Sequence, residues 1–444
     1  MTLSSPCARR IMGVFATRVV RFALGFVISF TIARVLGPTG RGIYAVATLT
    51  PTTLVNLGQL GLPNAFSFFA GRGRSGARLL VLGLVLSGVL SVVLLGGTLL
   101  ALPYLADTVL RAAPYELLLL AVVTIPFQLV AAFAGATLIG RQTMRNYNLI
   151  LIGQSVLMVI LIVGLVGIAG LGVTGAVIAT IVVAVATALA TFLELRRSIV
   201  NDPEDPPRPG VRIGELGSFG AKIYPASLAG FFGYRADVFM LSALTGDPAA
   251  IGLYTLGVSL AELTFFVPDA VSTVFFPRVA GMERASADEK VAQVTRFTVL
   301  ITLIATLGLI PAAFLAVHVI LPDYTDALPA FLVLLPGIIC LTVAKVLASY
   351  VGGLGIPLRV AVASGTALAV NIVANFLLIP PLGIMGAAVA SLISYTLNAT
   401  LLVMIASRLS RRRPIDFVLP TMTELRRLRE GLVEARGMLR RSDR

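Results

Sequence analysis

The stretch LGVTGAVIAT at residues 171–180 returns, altered but aligned, as LGIMGAAVAS at 382–391. Gly172 and Gly383, Gly175 and Gly386, Ala176 and Ala387, and Ala179 and Ala390 keep one constant offset. Working outward, GRGIYAV at 40–46 matches AIGLYTL at 250–256, which pairs Gly42 with Gly252 and Tyr44 with Tyr254. GVFATR at 13–18 matches GSFGAK at 217–222, which sets Lys222 where Arg18 stands. A close offset pairs Pro126 with Pro336 and Gly153 with Gly365. Small-residue patterns do recur among membrane helices, but chance is a poor account of landmarks matched in the same order. The chain therefore reads as a duplication: an N-terminal half at 1–200, a C-terminal half at 213–407, a linker at 201–212 and a basic tail at 408–444. The linker, NDPEDPPRPG and its flank, is polar and proline-rich, as a boundary should be.

Of the 444 residues, 57% are hydrophobic and 13% charged, and mean hydropathy is +0.95. A soluble chain carries about a quarter charged residues. Apolar runs of bilayer-spanning length recur near 12–35, 43–69, 79–104, 115–139, 147–168, 171–195, 217–244, 252–276, 295–320, 328–351, 358–379 and 383–407. The fold class expected is an all-α polytopic membrane protein. About 12 transmembrane helices form two six-helix bundles, a parallel repeat around a central cavity. With an even number of spans per half, the halves share one orientation, and the substrate site of such a protein lies between them.

Lysine and arginine in alternate loops set the orientation. One side receives Arg9 and Arg10, the arginines at 72–78, 141–145 and 196–212, the basic residues at 278–296, Arg359 and the tail. The other receives clearly only Arg41 and Arg111, together with Asp107, Asp247, Asp323 and Asp326. Both termini are expected on the cytoplasmic side. Leu425, Leu428, Leu432, Met438 and Leu439 recur at helical spacing among the tail's arginines. That pattern suits a basic helix lying on an anionic leaflet; a solvated tail that only fixes topology is the plainer reading.

Net charge is +14, which in a soluble chain would suggest nucleic acid. Here the basic residues sit between apolar runs, so membrane lipid is the expected partner and nucleic acid is not. There is one histidine and there are two cysteines, far apart. Zinc sites and Ser-His or Cys-His catalysis are thereby excluded, and no G-x-x-x-x-G-K-[ST] phosphate loop is present. No enzyme activity, catalytic residue, metal or cofactor is expected. The apolar run after MTLSSPCARR is too long for a signal peptide, contains arginine and lacks a small-x-small cleavage site, so it reads as the first span.

ARVLGPTGRGIYAVA at 33–47, YRADVFMLSALTGDPAAIGLY at 234–254 and the GVTGA and GIMGA starts of the sixth and twelfth spans resemble the polysaccharide-repeat and O-antigen flippases. These belong to the multidrug/oligosaccharidyl-lipid/polysaccharide exporter superfamily. The resemblance implies two bundles forming a V that opens alternately to either side of a bacterial cytoplasmic membrane. The substrate it implies is a polyprenyl-diphosphate-linked oligosaccharide, for surface polysaccharide synthesis beside glycosyltransferases and a polysaccharide polymerase. Lipid II flippases of the superfamily usually carry two further C-terminal helices; the basic tail here points away from that branch.

Charges inside the spans are the candidate site. Arg18, Arg21, Gly25 and Ser29 share one face of the first helix. Lys222, Arg235 and Asp237 lie on the seventh helix, Glu262 and Asp269 on one face of the eighth, and Lys345 on the tenth. Counted from the 245–251 turn, Arg235 and Glu262 are at equal depth, the position for an ion pair. Asp269 is closer to the depth of Arg21 and Lys222. In one reading Arg18, Arg21, Lys222 and Arg235 line the cavity and attract the diphosphate, since guanidinium offers phosphate a fork of permanent donors. In the other, Arg18, Arg21 and Lys222 snorkel to headgroups and Arg235 is a structural partner. Asp237, Glu262 and Asp269 either carry a coupling proton or Na⁺ or balance the cavity cations. Tyr234, Tyr254, Phe127, Gln128, Asn371 and Asn375 are weaker candidates for the path. A cation-coupled multidrug antiporter of the same superfamily stays open as the alternative, although its cavity should be acidic or neutral. A membrane glycosyltransferase or polymerase would need catalytic acids on a large outer loop, and the outer loops are short.

Overall fold

The computed structural model describes residues 6–201 and 209–418. Among them every regular element is helical. The helices are α1 (Pro6–Gly58), α2 (Leu62–Gly71), α3 (Gly76–Thr108), α4 (Tyr115–Val122), α5 (Ile125–Gly140), α6 (Met144–Leu161), α7 (Gly172–Val200), α8 (Ile213–Thr245), α9 (Pro248–Glu262), α10 (Phe266–Ala280), α11 (Arg284–Ile320), α12 (Ala327–Gly353), α13 (Pro357–Leu382) and α14 (Ile384–Ser410). Ten helices among the described residues are long and apolar enough to cross a membrane. The Ile213–Thr245 helix, which carries Glu215, Lys222, Arg235 and Asp237, is not among the ten. The protein is thus an all-α, multi-pass membrane protein. The tail residues Leu425 to Leu439 lie outside the described residues.

Several expected spans are interrupted. In α1 the backbone breaks at Gly37, at φ 65 and ψ −179. A side chain is strained there, and glycine adopts it freely. Pro38 then opens a second rod, where its missing N–H costs no helical bond. The run expected over 43–69 breaks again at Leu60 and Gly61, both at positive φ, before α2. The run at 147–168 closes in a π-helical stretch, Ile162–Ile168, and the run at 252–276 tightens into a 3₁₀ turn at Leu263–Phe265.

In the first half α5 packs against α2, α3 and α7, and α1 against α6 and α7. In the second, α12 packs against α9, α10, α11 and α14, and α13 against α8 and α14. Two seams join the halves: α1 on α9, and α2 on α8.

The α1–α9 seam is reciprocal. A Cβ on Gly42 would lie 1.8 Å from the Pro248 carbonyl oxygen, and one on Gly252 would lie 1.9 Å from that of Pro38. The glycines that the repeat pairs therefore meet each other's prolines. The repeat is visible elsewhere: Gly172, which opens α7, and Gly383, which precedes α14, both adopt positive φ, 54° and 56°. Tyr44 bonds Thr180 at 3.0 Å, and Tyr254 bonds Ser391 at 3.5 Å. Thr180 and Ser391 close the two repeated phrases quoted at the outset.

More contacts seal this Pro38–Pro248 end. Arg34 donates to the Ile320 carbonyl at 3.0 Å, Tyr324 to that of Ala33 at 3.2 Å, and Arg111 to that of Ala243 at 3.4 Å. Burial pushes the Tyr324 phenol above its ordinary pKa, against the opposing pull of Arg41, so it remains a donor through neutral pH. At the other seam Phe68 stacks on Phe219 with centroids 4.2 Å apart, Tyr224 donates to the Leu57 carbonyl, and Arg74 lies 3.7 Å from Glu215.

Candidate functional site

Between the halves lies a cavity of about 1040 Å³, walled by Gly25, Ser29, Thr52 and Ser155 on one side and by residues of α8, α9, α10 and α12 on the other. Among the described residues its wall charges are Arg235, Glu262, Asp269 and Lys345. They come in two pairs. Arg235 Nη1 lies 3.3 Å from Glu262 Oε1, with Nη2 at 3.4 Å from Oε2, so the guanidinium fork faces the carboxylate with both arms. Lys345 Nζ donates to Asp269 Oδ1 at 2.6 Å and sits 4.0 Å from the centroid of Phe265. Counting from the 245–251 turn located the first pair. The same counting sets Asp269 near the depth of Arg21 and Lys222, and one of its partners is Lys345 of α12.

The wall contributed by the described residues is thus neutral, two cations against two anions. Lys222 is exposed, lies outside this lining and forms no ion pair among the described residues. Arg18 and Arg21 stand on α1, one to two turns before the wall residue Gly25. Their side chains lie outside what the structure describes.

Asp237 is not on the wall. It is 3% exposed and sits behind it. Tyr254 donates to Oδ2 at 2.7 Å, Ser391 donates to the same oxygen, and Asn375 Nδ2 donates to Oδ1 at 2.7 Å. Asn371 extends the chain, accepting from Asn375 at 3.0 Å. No basic side chain pairs with Asp237 among the described residues. A carboxylate so placed is held by neutral donors alone, a high-stakes arrangement in a low-dielectric interior. Asp237→Ala removes the acceptor shared by three buried donors, so the free energy of unfolding in detergent should fall by about 3 kcal/mol or more. Asp237→Asn, which keeps one acceptor oxygen, should lose less. Equal melting temperatures for wild type and Asp237→Ala would refute this account.

Sequence reading missed Arg41 altogether, counting it among loop charges because GPTGRG reads as a turn. It lies in the first turn after Pro38 and is 6% exposed. Nη1 donates to the Ser29 carbonyl at 2.7 Å. Nη2 reaches Ser29 Oγ at 3.0 Å, Ser259 Oγ at 3.0 Å and the Thr255 carbonyl at 3.3 Å, and Nε reaches Thr255 Oγ1 at 3.4 Å. The guanidinium thereby ties both rods of α1 to α9 at the sealed end of the cavity. The available signal was Gly37-Pro38, a helix-start pattern that puts Arg41 inside a helix.

Comparison with known proteins agrees with this geometry. No curated protein matches the chain. Among solved structures, a lipid II flippase, MurJ, in an inward closed conformation superposes with TM-score 0.71 at 13% identity, over 91% of this chain and 88% of that one. An inward-facing multidrug resistance MATE family transporter of the MOP superfamily superposes with TM-score 0.66 at 17% identity, over 88% and 99%. A MOP superfamily transporter from Pyrococcus furiosus gives 0.54 at 14% identity, over 90% and 96%. At such identities the likeness is one of fold. The family model described as polysaccharide biosynthesis protein matches residues 11–283, more than half of the chain, and identifies this protein as a member of that family.

Proposed function

We propose that the protein is a flippase that carries a polyprenyl-diphosphate-linked oligosaccharide across the bacterial cytoplasmic membrane by alternating access, for surface polysaccharide synthesis. The halves, 1–200 and 213–407, rock about the two seams. The headgroup crosses through the cavity between them while the polyprenyl chain stays in lipid. Both termini are cytoplasmic, the linker 201–212 lies on that side, and the tail from 408 rests on its anionic leaflet. Glycosyltransferases supply the substrate, and a polymerase consumes it.

The observation that carries this reading is the pair of wall cations, Arg235 and Lys345, in the cavity between the halves. A diphosphate needs net positive charge, and Arg235 and Lys345 are already matched. The excess comes from Arg18 and Arg21, whose helix continues the face of Gly25 and Ser29, and from Lys222 as the halves move. Arg235 adds to it when phosphate oxygens displace Glu262. Of the three candidate coupling carboxylates, Glu262 and Asp269 are neutralised by Arg235 and Lys345. Asp237 is then the group left to couple transport to a cation.

Each charge-assisted contact contributes about 1.5–3 kcal/mol, so Arg18→Ala, Lys222→Ala and Arg235→Ala should each cut headgroup translocation by about 10- to 100-fold while folded protein still reaches the membrane. The double variant Arg235→Ala/Glu262→Ala separates the roles: a purely structural pair is repaired by removing both members, a phosphate ligand is not. Full translocation in all three single variants would end the proposal. A cation-coupled multidrug antiporter is the second reading, favoured by the rings of Phe26, Phe231, Tyr234 and Phe265 beside Glu262 and Asp269 in one cavity. Drug resistance conferred on a sensitive host, without any effect on surface polysaccharide, would select it.

A further inference from the structure

A second cavity, about 540 Å³, lies within the first half among α1, α5, α6 and α7. It shares Thr52 and Ser155 with the central cavity, so the two adjoin. Its volume is in the range of small-molecule sites, about 300–1,000 Å³. No charged residue among the described residues lines it. Four amides do, Asn56, Gln59, Gln128 and Gln154, with the rings of Phe127 and Tyr147 among them.

Amides within membrane helices usually join one helix to another. These do not. Gln128 donates to Thr124 on its own helix at 2.9 Å. Asn56 donates to the Thr52 carbonyl at 2.8 Å, and Gln59 donates to Asn56 at 3.0 Å, all within α1 or its last turn. Gln154 makes no hydrogen bond among the described residues. Each side-chain amide has two N–H donors and a carbonyl oxygen with two lone pairs, so most of this capacity still faces the cavity. Donors and acceptors beside aromatic rings, without charge, are the chemistry that recognises sugar hydroxyls and the apolar face of a pyranose. A uronic acid placed here would bring a carboxylate with no cation among the described lining to meet it, at a desolvation cost.

We infer that this cavity is the glycan subsite: it receives the first sugars next to the diphosphate and selects neutral ones over acidic ones. The inference rests on the diphosphate-lipid reading above. It places charge recognition in the central cavity and sugar recognition in the first half.

The test measures the affinity of the purified full-length protein in nanodiscs for three probes. They are farnesyl diphosphate, farnesyl diphosphate bearing a neutral N-acetylglucosamine–galactose disaccharide, and the same lipid bearing a disaccharide that ends in glucuronate. The neutral disaccharide should tighten binding about tenfold over the bare diphosphate, the equivalent of two neutral hydrogen bonds. The glucuronate probe should gain nothing. In Gln128→Ala/Gln154→Ala the ratio of neutral to bare affinity should fall to about one, and Gln154→Arg should turn the preference towards glucuronate. A ratio near one in the wild type, which needs no variant to fold, would overturn the inference, as would an undiminished ratio in the double variant. Should none of the three probes bind, the flippase reading itself falls, and this one with it.

Discussion

Gly252→Val should leave the protein unable to close its Pro38–Pro248 end, with transport lost and the fold retained. The reason is steric and local. A Cβ at residue 252 would stand 1.9 Å from the Pro38 carbonyl oxygen, and that neighbour is backbone, not the end of a side chain that can turn away. The contact is relieved only by separating α1 from α9. Overpacking of this kind costs about 3 kcal/mol, which displaces a two-state equilibrium roughly a hundredfold. Gly42→Val should do the same, because residue 42 meets Pro248 as residue 252 meets Pro38. Gly308→Val, where the added atoms meet nothing within 4 Å, is the matched control. The readout is maleimide labelling of a cysteine placed at Leu256, a buried residue of the cavity wall, in a protein lacking Cys7 and Cys340. The wild type should resist reagent added from the Arg111 side, and Gly252→Val should react. Resistance together with normal transport in Gly252→Val would show that the seam is no gate.

Arg41→Ala is expected to be the other severe variant. Five hydrogen bonds leave this guanidinium, to Ser29, Thr255 and Ser259. Removing it strands buried carbonyl and hydroxyl acceptors, at about 3 kcal/mol or more. Lysine should not rescue. Its three donors radiate from one nitrogen, whereas the planar fork reaches α1 on one side and α9 on the other. The melting temperature of Arg41→Ala and Arg41→Lys in detergent should fall together. The Leu256 cysteine should become reactive in both, because the same bonds hold the end shut. Wild-type stability in Arg41→Lys would mean that charge alone, not the fork, is what this position requires.

Arg41 also shows where sequence reasoning fails. A lone arginine in GPTGRG is counted with the loop because glycine and proline mark turns, although Pro38 after Gly37 is equally a helix start, and the backbone takes the second option. Asp237 failed differently. Its place on the seventh helix was legible, but its partners come from α9, α13 and α14, and long-range contact leaves no local periodic signal. Counting along two adjacent helices did locate Arg235 opposite Glu262, since antiparallel neighbours joined by a short turn share depth. The apolar runs were legible because a bilayer demands length and hydropathy together. The breaks at Leu60–Gly61 and Leu263–Phe265 interrupt those runs without interrupting their apolarity. The cavity of the first half was illegible as a cavity: Phe127 and Gln128 read as weak candidates until α6 and α7 enclosed them.

The reciprocal contact of Gly42 with Pro248 and of Gly252 with Pro38 is an isologous interface, the geometry by which two identical subunits pair across a two-fold axis. In a homodimer every substitution there is made twice, and any residue that suits one side must suit the other. Joined in one chain, the two sides are free to change separately. The hydrogen bonds of Tyr44 to Thr180 and of Tyr254 to Ser391 show that freedom used: both copies keep the bond, while only the second has drawn a carboxylate, Asp237, into it. A symmetric hinge thus carries an asymmetric load, with Asp237 drawn to the tyrosine of the second half and Thr180 alone, among the described residues, bonded to that of the first.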